Sequence, residues 1–535
     1  MASEFSHPSL GHIQGNAKEG VVQFLGVKYA SIKDRFAASE VFDHSESNFI
    51  DATKPGPYVI SPPVWDMEFG FIQKSLPMPE MRMSELEGLN LNISVPLIQG
   101  KIPSPEQMLP VFMFVHGGGY ALGSNAWPQY DQARIVRLST KMGKPVIGVG
   151  INYRVGLPGF LTSQEMRKEG YVANNGLRDQ ANALRWIKKF IGGFGGDSGN
   201  VTFIGESAGS VSGSLLLHST EPLFKRYVSM SGTSLMMKPL PPPVSEFAYS
   251  SVIEMFGLKD ASGPERIKAL LALPVEKLLS VPPNIPLVPV IDGDLIRSII
   301  NFAQISSKDD DPALDMPGRK WCQDLLIGDC QFDGSIGSFM LGPKTVSIAK
   351  GFCSSIGKTL ADYPAAAEKL RHAYQITPDL ADDVALRNVL QFSTDIGFYA
   401  TALAFAQGWP GKARVYHFNE PNPWEGPWKG EAGHVLDIAF LFQNYNEHLE
   451  PEQKAVAVKF AEDVIKFANG ACDWKAFNEG EGARIYGPSR DGICGEYVEG
   501  IAQDGSGRKN IIFELAEEIG LEPLSAAWGN FLTGN

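Results

Sequence analysis

The chain has 535 residues, 44% of them apolar, and its 60 acidic side chains outnumber 47 basic ones for a formal net charge of −13. That length supplies material for a large core and is compatible with one big α/β unit carrying insertions. The surplus acid, with no basic block to offset it, argues against nucleic acid or an anionic membrane surface as partner and leaves solubility as its physical role.

The opening stretch, MASEFSHPSLGHIQG, has no basic region followed by an apolar one, and no apolar run approaches the length of a membrane span. Secretion through a signal peptide is therefore not expected. Cys322, Cys330, Cys353, Cys472 and Cys494 are scattered and form no Cys-x-x-Cys pair, which predicts reduced thiols. The sequons at Asn92 and Asn200 fall inside or at the edge of predicted strands, where a glycan is hard to accommodate. Gly20–Tyr29 predicts a small N-terminal strand set, and Pro55–Pro79, rich in Pro and aromatics, predicts a long ordered loop that shapes a pocket. Leu89–Val95 alternates as a strand does.

Leu109–Val115 is a continuous apolar run, the pattern of a strand covered on both faces, and it enters His116-Gly117-Gly118-Gly119-Tyr120. Consecutive glycines leave backbone N–H groups bare. In an acyl-transfer enzyme such groups stabilise the oxygen that turns negative, and losing one costs about 3 kcal/mol of transition-state stabilisation. The candidate donors are Gly118, Gly119 and Ala208, against the plainer reading of a flexible turn. Another buried strand, Pro145–Tyr153, precedes Arg154, and Asn175–Ile187 has helical spacing. Arg154 and Asp179 are candidates for a buried structural ion pair.

Val201–Ile204 reads as a strand and Ala208–Leu217 as a helix, with Gly205-Glu206-Ser207-Ala208-Gly209 between them. A serine on so sharp a turn needs a strained backbone, and glycines two positions away on either side remove Cβ atoms that would collide. Ser207 is thus the candidate nucleophile. The alternation of strands and helices predicts a mostly parallel sheet with helices on both faces and a site at the carboxyl ends of the strands.

HGGGY, INYRVGLPGFL, NNGLRDQANALRWI, FGGDSGNVTFIGESAGS and the segment around His434 together resemble the type-B carboxylesterase/lipase family, the cholinesterase-like branch of the α/β-hydrolases, from about Gly11 to about Glu447. The resemblance implies the α/β-hydrolase fold across residues 1–535 and a triad in the order Ser, acid, His. It places the acid immediately before a glycine at a strand-end loop, which is Asp333, with Asp329 as competitor. That position is more often Glu in animal relatives. The shorter Asp requires its loop to come closer to the histidine.

Residues 335–411 read as mostly helical, including Asp379–Leu390 and Gly397–Gln407, and are expected to form a cap over the site. Ala413–Phe418 reads as a strand. His434, at the end of a Pro-, Gly- and Trp-rich loop and the start of an apolar helix, is the candidate base. His417 is expected to pack in a strand, and His116 to support the glycine loop. Asp437 either orients the loop of His434 or caps its helix.

A serine hydroxyl needs a base within hydrogen-bond reach and a carboxylate that holds the base in the right tautomer. Ser207, His434 and Asp333 supply these parts. They predict hydrolysis of a small to medium apolar ester through an acyl-enzyme. Transfer to another acceptor, a cyclase or lyase reaction on the same fold, and a non-catalytic binding relative are the alternatives. No metal-ligand cluster or nucleotide-binding pattern is found, so no cofactor is implied. Trp65, Tyr120, Trp127, Met236, Met237, Phe398 and Trp424 are candidates for an apolar pocket, although aromatics and Met more often fill cores. Secreted relatives carry a cysteine that closes an N-terminal disulfide loop; this chain has Glu87-Gly88-Leu89-Asn90-Leu91-Asn92 there. That cysteine-free version, with Pro421–Trp428, is similar to intracellular fungal members and predicts a cytoplasmic protein.

Overall fold

Strands rich in β-branched and aromatic residues dominate the centre of the molecule. The computed structural model describes residues 2–45, 49–308, 314–500 and 510–534. Thirteen of its strands form one sheet. From edge to edge they are Ala2–His7, Gly11–Lys18, Val21–Lys28, Asn90–Pro96, Ile147–Ile151, Leu109–Val115, Gly196–Glu206, Arg226–Met230, Asp324–Cys330, Lys412–Phe418, Ala483–Tyr486 and Glu496–Val498, with Phe49–Asp51 beside Gly11–Lys18.

The stretch from Ile147–Ile151 to Ala483–Tyr486 is parallel throughout, and antiparallel strands flank it. The parallel part is buried on both faces, which is why Leu109–Val115 and Ile147–Ile151 read as unbroken apolar runs. Phe203 sits in register with Met113 on one side and Tyr227 on the other. Helix Asn175–Phe190 buries Leu177, Ala181, Leu184 and Ile187 at helical spacing. Helix Ala208–Leu216 is buried on every side and follows the strand ending at Glu206 directly. Val115, Glu206, Met230 and Cys330 therefore end four consecutive parallel strands on the same side, at their carboxyl ends, where open α/β sheets gather their sites.

Two segments differ from expectation, whereas residues 335–411 are mostly helical as read, with the bounds of two helices shifted by a few residues. The predicted loop Pro55–Pro79 contains a helix, Trp65–Ile72, started after Pro62-Pro63 and ended by Gln73 in a left-handed conformation. It buries Phe69 and Ile72, three residues apart, while the flanking prolines masked the helical pattern. In residues 335–411 the helices are Gly337–Leu341, Ile348–Thr359, Pro364–Ala373, Asp382–Thr394 and Ala400–Gly408, with a π-helical turn at Asp395–Tyr399. Helices Pro242–Met255 and Gly263–Ala272, not read from the sequence, bury Tyr249, Val252 and Ile267 in a second, smaller apolar cluster with Phe36, Leu157 and Met166.

Arg154 and Asp179 form the expected buried pair, with Nε and Nη2 each donating over 2.8 Å to the carboxylate. Asn92 accepts from the Gly26 N–H and donates to the Asn125 carbonyl, so its amide is engaged in the fold. All five cysteines are free thiols.

Candidate active site

Ser207 sits between its strand and helix with φ 52° and ψ −124°, a conformation that L-residues avoid. Its N–H donates to the Met230 carbonyl at 2.9 Å, which ties the turn to the adjacent strand. The flanking glycines are required by sterics. A Cβ at Gly205 would lie 2.4 Å from the Gly209 carbonyl oxygen, and one at Gly209 would lie 2.1 Å from that of Val115. Strand and helix thus close around a turn that pushes the serine side chain outward.

The loops bearing Asp333 and His434 are joined before their side chains meet. The Phe332 N–H donates to the Ala432 carbonyl at 2.8 Å, Phe332 bridges Gly433, and the His434 N–H donates to Ser335 Oγ at 2.9 Å. This pairing brings the Asp333 loop close enough for the shorter carboxylate. His434 Nδ1 lies 2.8 Å from Asp333 Oδ1, and His434 Nε2 lies 3.0 Å from Ser207 Oγ. The second oxygen of Asp333 accepts from Ser231 Oγ at 2.9 Å and from the Cys330 N–H at 2.7 Å. Burial raises the Asp333 carboxyl pKa while the His434 hydrogen bond opposes that rise. Asp329 does not compete for His434. It pairs instead with His417 Nδ1 at 2.6 Å, deep in the sheet.

Beside Ser207 the glycine loop turns sharply, with φ 92° at Gly118 and 60° at Gly119. A Cβ at Gly118 would come within 2.2 Å of the Leu122 carbonyl oxygen. No hydrogen bond among the described residues uses the N–H of Gly118, Gly119 or Ala208. Ala208 also opens the buried helix, whose N-terminus favours negative charge. His116 braces the loop. Its Nδ1 donates to the Gly117 carbonyl at 3.0 Å, its ring stacks on Tyr153 at 4.6 Å, and burial lowers its pKa to about 4, so the ring is neutral.

Several supporting groups had no role assigned from sequence. Glu206 is fully buried, and among the described residues neither of its carboxyl oxygens has a hydrogen-bond partner. Oε1 lies 3.4 Å from His434 Nε2, without hydrogen-bond geometry. Burial first, then the carboxyls of Glu68, Asp437 and Asp333, hold its pKa well above the carboxyl range and favour the neutral acid. Glu68 accepts from Tyr130 Oη at 2.6 Å and from Gln129 Nε2 at 2.9 Å. Asp437 accepts from Tyr416 Oη at 2.7 Å and from the Ile438 N–H at 2.8 Å, anchoring the helix that follows His434. Glu206 stands inside the elbow motif and was legible as a position; Ser231 and Glu68 reach the site only through the fold.

The candidate pocket residues separate. Trp65 and Trp127 line a cavity of about 100 Å³ with Pro62, Met78, Met81 and Gly123. Phe398, in the π-helical turn, packs against His434 with ring centroids 5.4 Å apart, and Met236 comes within 4.0 Å of where a Cβ on Gly397 would lie. Met237 is half-buried next to Met236. Tyr120 is not at a pocket wall: its backbone, at φ 62°, sends the ring into the core, where it meets Phe160 and receives a hydrogen bond from Ser212 Oγ at 3.1 Å. Trp424 packs on Phe440 and Tyr445 and donates to the His448 carbonyl at 3.2 Å, so it clamps the region behind His434. Among the described residues no group of three or more His, Cys, Asp or Glu could hold a metal ion, and no helix is long and apolar enough to cross a membrane.

A family model described as "Carboxylesterase family" matches residues 3–473. A lipase of Yarrowia lipolytica, Lipase 3, is 28% identical over 500 residues, covering 88% of this chain and 90% of that protein. Para-nitrobenzyl esterase of Bacillus subtilis is 27% identical over 514 residues, covering 90% of this chain and 94% of that one. Among solved structures, a thermophilic para-nitrobenzyl esterase superposes with a TM-score of 0.72 at 24% identity, over 93% of this chain and 98% of the other. A carboxylesterase of Geobacillus stearothermophilus gives 0.71 at 24% identity over 98% and 99%.

Proposed function

The chain belongs to the carboxylesterase family, as a serine hydrolase of the α/β-hydrolase fold, and from that premise we propose that Ser207, His434 and Asp333 hydrolyse a small to medium apolar ester through an acyl-enzyme. The observation that carries this reading is the relay from Ser207 Oγ through His434 to Asp333, over 3.0 and 2.8 Å, beside backbone N–H groups without acceptors among the described residues.

In this reading Asp333 keeps the proton of His434 on Nδ1, so that Nε2 is free to accept from Ser207. Ser207 Oγ attacks the ester carbonyl as its proton passes to Nε2. The N–H groups of Gly118, Gly119 and Ala208 receive the oxygen that becomes negative. The imidazolium then returns the proton to the leaving alcohol, and water repeats the steps on the acyl-enzyme. Phe398, packed on His434, and Met236, close to Gly397, offer ring and hydrocarbon surface beside the base and favour an apolar substrate. Residues 335–411 would act as the cap over this site. A cytoplasmic location, in the manner of intracellular fungal members, belongs to the same proposal, and fractionation of the source cells tests it.

A serine-directed phosphonate is expected to label Ser207 in the wild-type protein. Ser207→Ala should lose both the label and turnover of p-nitrophenyl acetate, by a factor of about 10³ or more. An unlabelled protein, or a Ser207→Ala variant with undiminished turnover, would overturn the proposal.

A further inference from the structure

His434 is the second residue of a tight turn. The Leu436 N–H donates to the Gly433 carbonyl at 3.2 Å, so Gly433, His434, Val435 and Leu436 form the turn, and Val435 is its third residue. Val435 has φ 67° and ψ 3°. A left-handed third position with ψ near zero is one that turns reserve for glycine or asparagine, because a Cβ crowds the backbone there. A β-branched side chain crowds it further. Among the described residues, 13 non-glycine positions have positive φ, and Val435 is the one β-branched residue in the set. It is not a surface accident: its side chain is 5% exposed and belongs to the main apolar core.

The surroundings supply what holds this conformation. On one side the His434 N–H is bound to Ser335 Oγ and Gly433 is bridged to Phe332. On the other, the Val435 carbonyl accepts from the Ala439 N–H at 3.3 Å and starts the helix Leu436–Leu441. Glycine at this position would meet the same backbone demands without strain. It would also leave the peptide between His434 and Val435 free to rotate, since nothing at Cα would be anchored in the core. Strain that persists at such a place is retained by surrounding packing and clusters where geometry must be fixed.

We propose that Val435 is a positioning residue for His434. Its branched side chain, seated in the core, locks the turn so that the imidazole meets Ser207 and Asp333 simultaneously. The proposal rests on the reading of His434 as the base. A purely core-filling role would make substitutions at Val435 lower stability and leave turnover and its pH dependence unchanged.

The test compares Val435→Gly, Val435→Ala and Val435→Thr with wild type on p-nitrophenyl acetate across pH, with thermal unfolding measured in parallel. Expected is a loss of kcat of tenfold or more in Val435→Gly, a smaller loss in Val435→Ala, and KM within about twofold of wild type in both. The acid limb of the kcat/KM profile should move as the His434–Asp333 contact loosens. Val435→Thr keeps the branching and should retain kcat within about threefold. Glu481→Gly relieves a left-handed residue that is exposed and outside the machinery, and should leave kcat unchanged. If Val435→Gly does not fold, Val435→Ala decides. Wild-type kcat and pH profile in either folded variant would overturn the proposal. Failure of Ser207→Ala to lose activity would instead overturn the reading on which it rests, so the two failures are distinguishable.

Discussion

Four carboxyl groups, those of Glu68, Glu206, Asp333 and Asp437, lie buried around one imidazole, and such a cluster cannot all be ionised at once. Asp333 has the hydrogen bonds that favour its charge: Ser231, the Cys330 N–H and His434 all address it. Asp437 has fewer, and burial together with Asp333 pushes it up to about 6 from an ordinary 3.8. The sign of its effect on stability follows. The folded chain keeps a proton on Asp437 that the unfolded chain releases, so this group's stabilisation is complete below about pH 4 and is lost as pH rises through about 6. The difference amounts to about 3 kcal/mol. Asp437→Asn can still accept from the Ile438 N–H and meet the Tyr416 hydroxyl, but it does not ionise. Thermal unfolding at pH 5 and pH 7.5 should therefore show a smaller gap in the variant than in wild type. An unchanged gap would mean that another group carries the pH dependence.

At the scale of the element, the strands that build the site were legible because each one contains an apolar run that leads to a chemical landmark, although the first five residues of Gly196–Glu206 are polar or Gly and were not read as strand. Leu109–Val115 ends at His116 and the glycines, Gly196–Glu206 at Ser207, and Asp324–Cys330 just before Asp333. Helix Trp65–Ile72 was hidden by its prolines, and Pro242–Met255 by Phe247 and Met255, apolar residues on its exposed face that blur the buried stripe of Ala248, Tyr249, Val252 and Ile253. The contacts that organise the site, such as Ser231 on Asp333 or Ser335 on the His434 backbone, join residues about a hundred positions apart and leave no periodic trace. The elbow is the opposite case, since its glycines announce a steric demand that the structure contains. Gly209→Ala would place a methyl group 2.1 Å from the Val115 carbonyl oxygen, on backbone at both sides of the clash. We expect a loss of roughly 3 kcal/mol or more, seen as a fall of several degrees in Tm, together with loss of turnover as the serine shifts. Gly192→Ala, where nothing lies within 4 Å of the added carbon, is the control and should be near neutral.

Across the whole molecule, the parallel strands, the N-terminal segment and the helical layer must be held in one frame for three distant side chains to meet. Arg154 does much of this. It follows the strand Ile147–Ile151, grips Asp179 on helix Asn175–Phe190 with two 2.8 Å bonds, and donates from Nη1 to the carbonyls of Ala37 at 2.6 Å and Arg35 at 3.2 Å. Arg35 in turn binds Glu85 and the Leu273 carbonyl, which reaches the smaller apolar cluster. The Arg154–Asp179 pair is 2% and 0% exposed, so its desolvation is large and the geometry must repay it. Removing only the guanidinium leaves Asp179 charged and dry. Arg154→Met should therefore cost about 3–5 kcal/mol, whereas Arg154→Met with Asp179→Leu removes both charges and should recover a substantial part of that loss. Thermal unfolding of the two single variants and the double variant closes the cycle. Neither variant touches Ser207 or His434, so kcat per folded molecule should remain close to wild type in the double variant even where Tm is lowered. A double variant that recovers stability but not kcat would mean that this frame fixes the geometry of the site as well as holding the layers together.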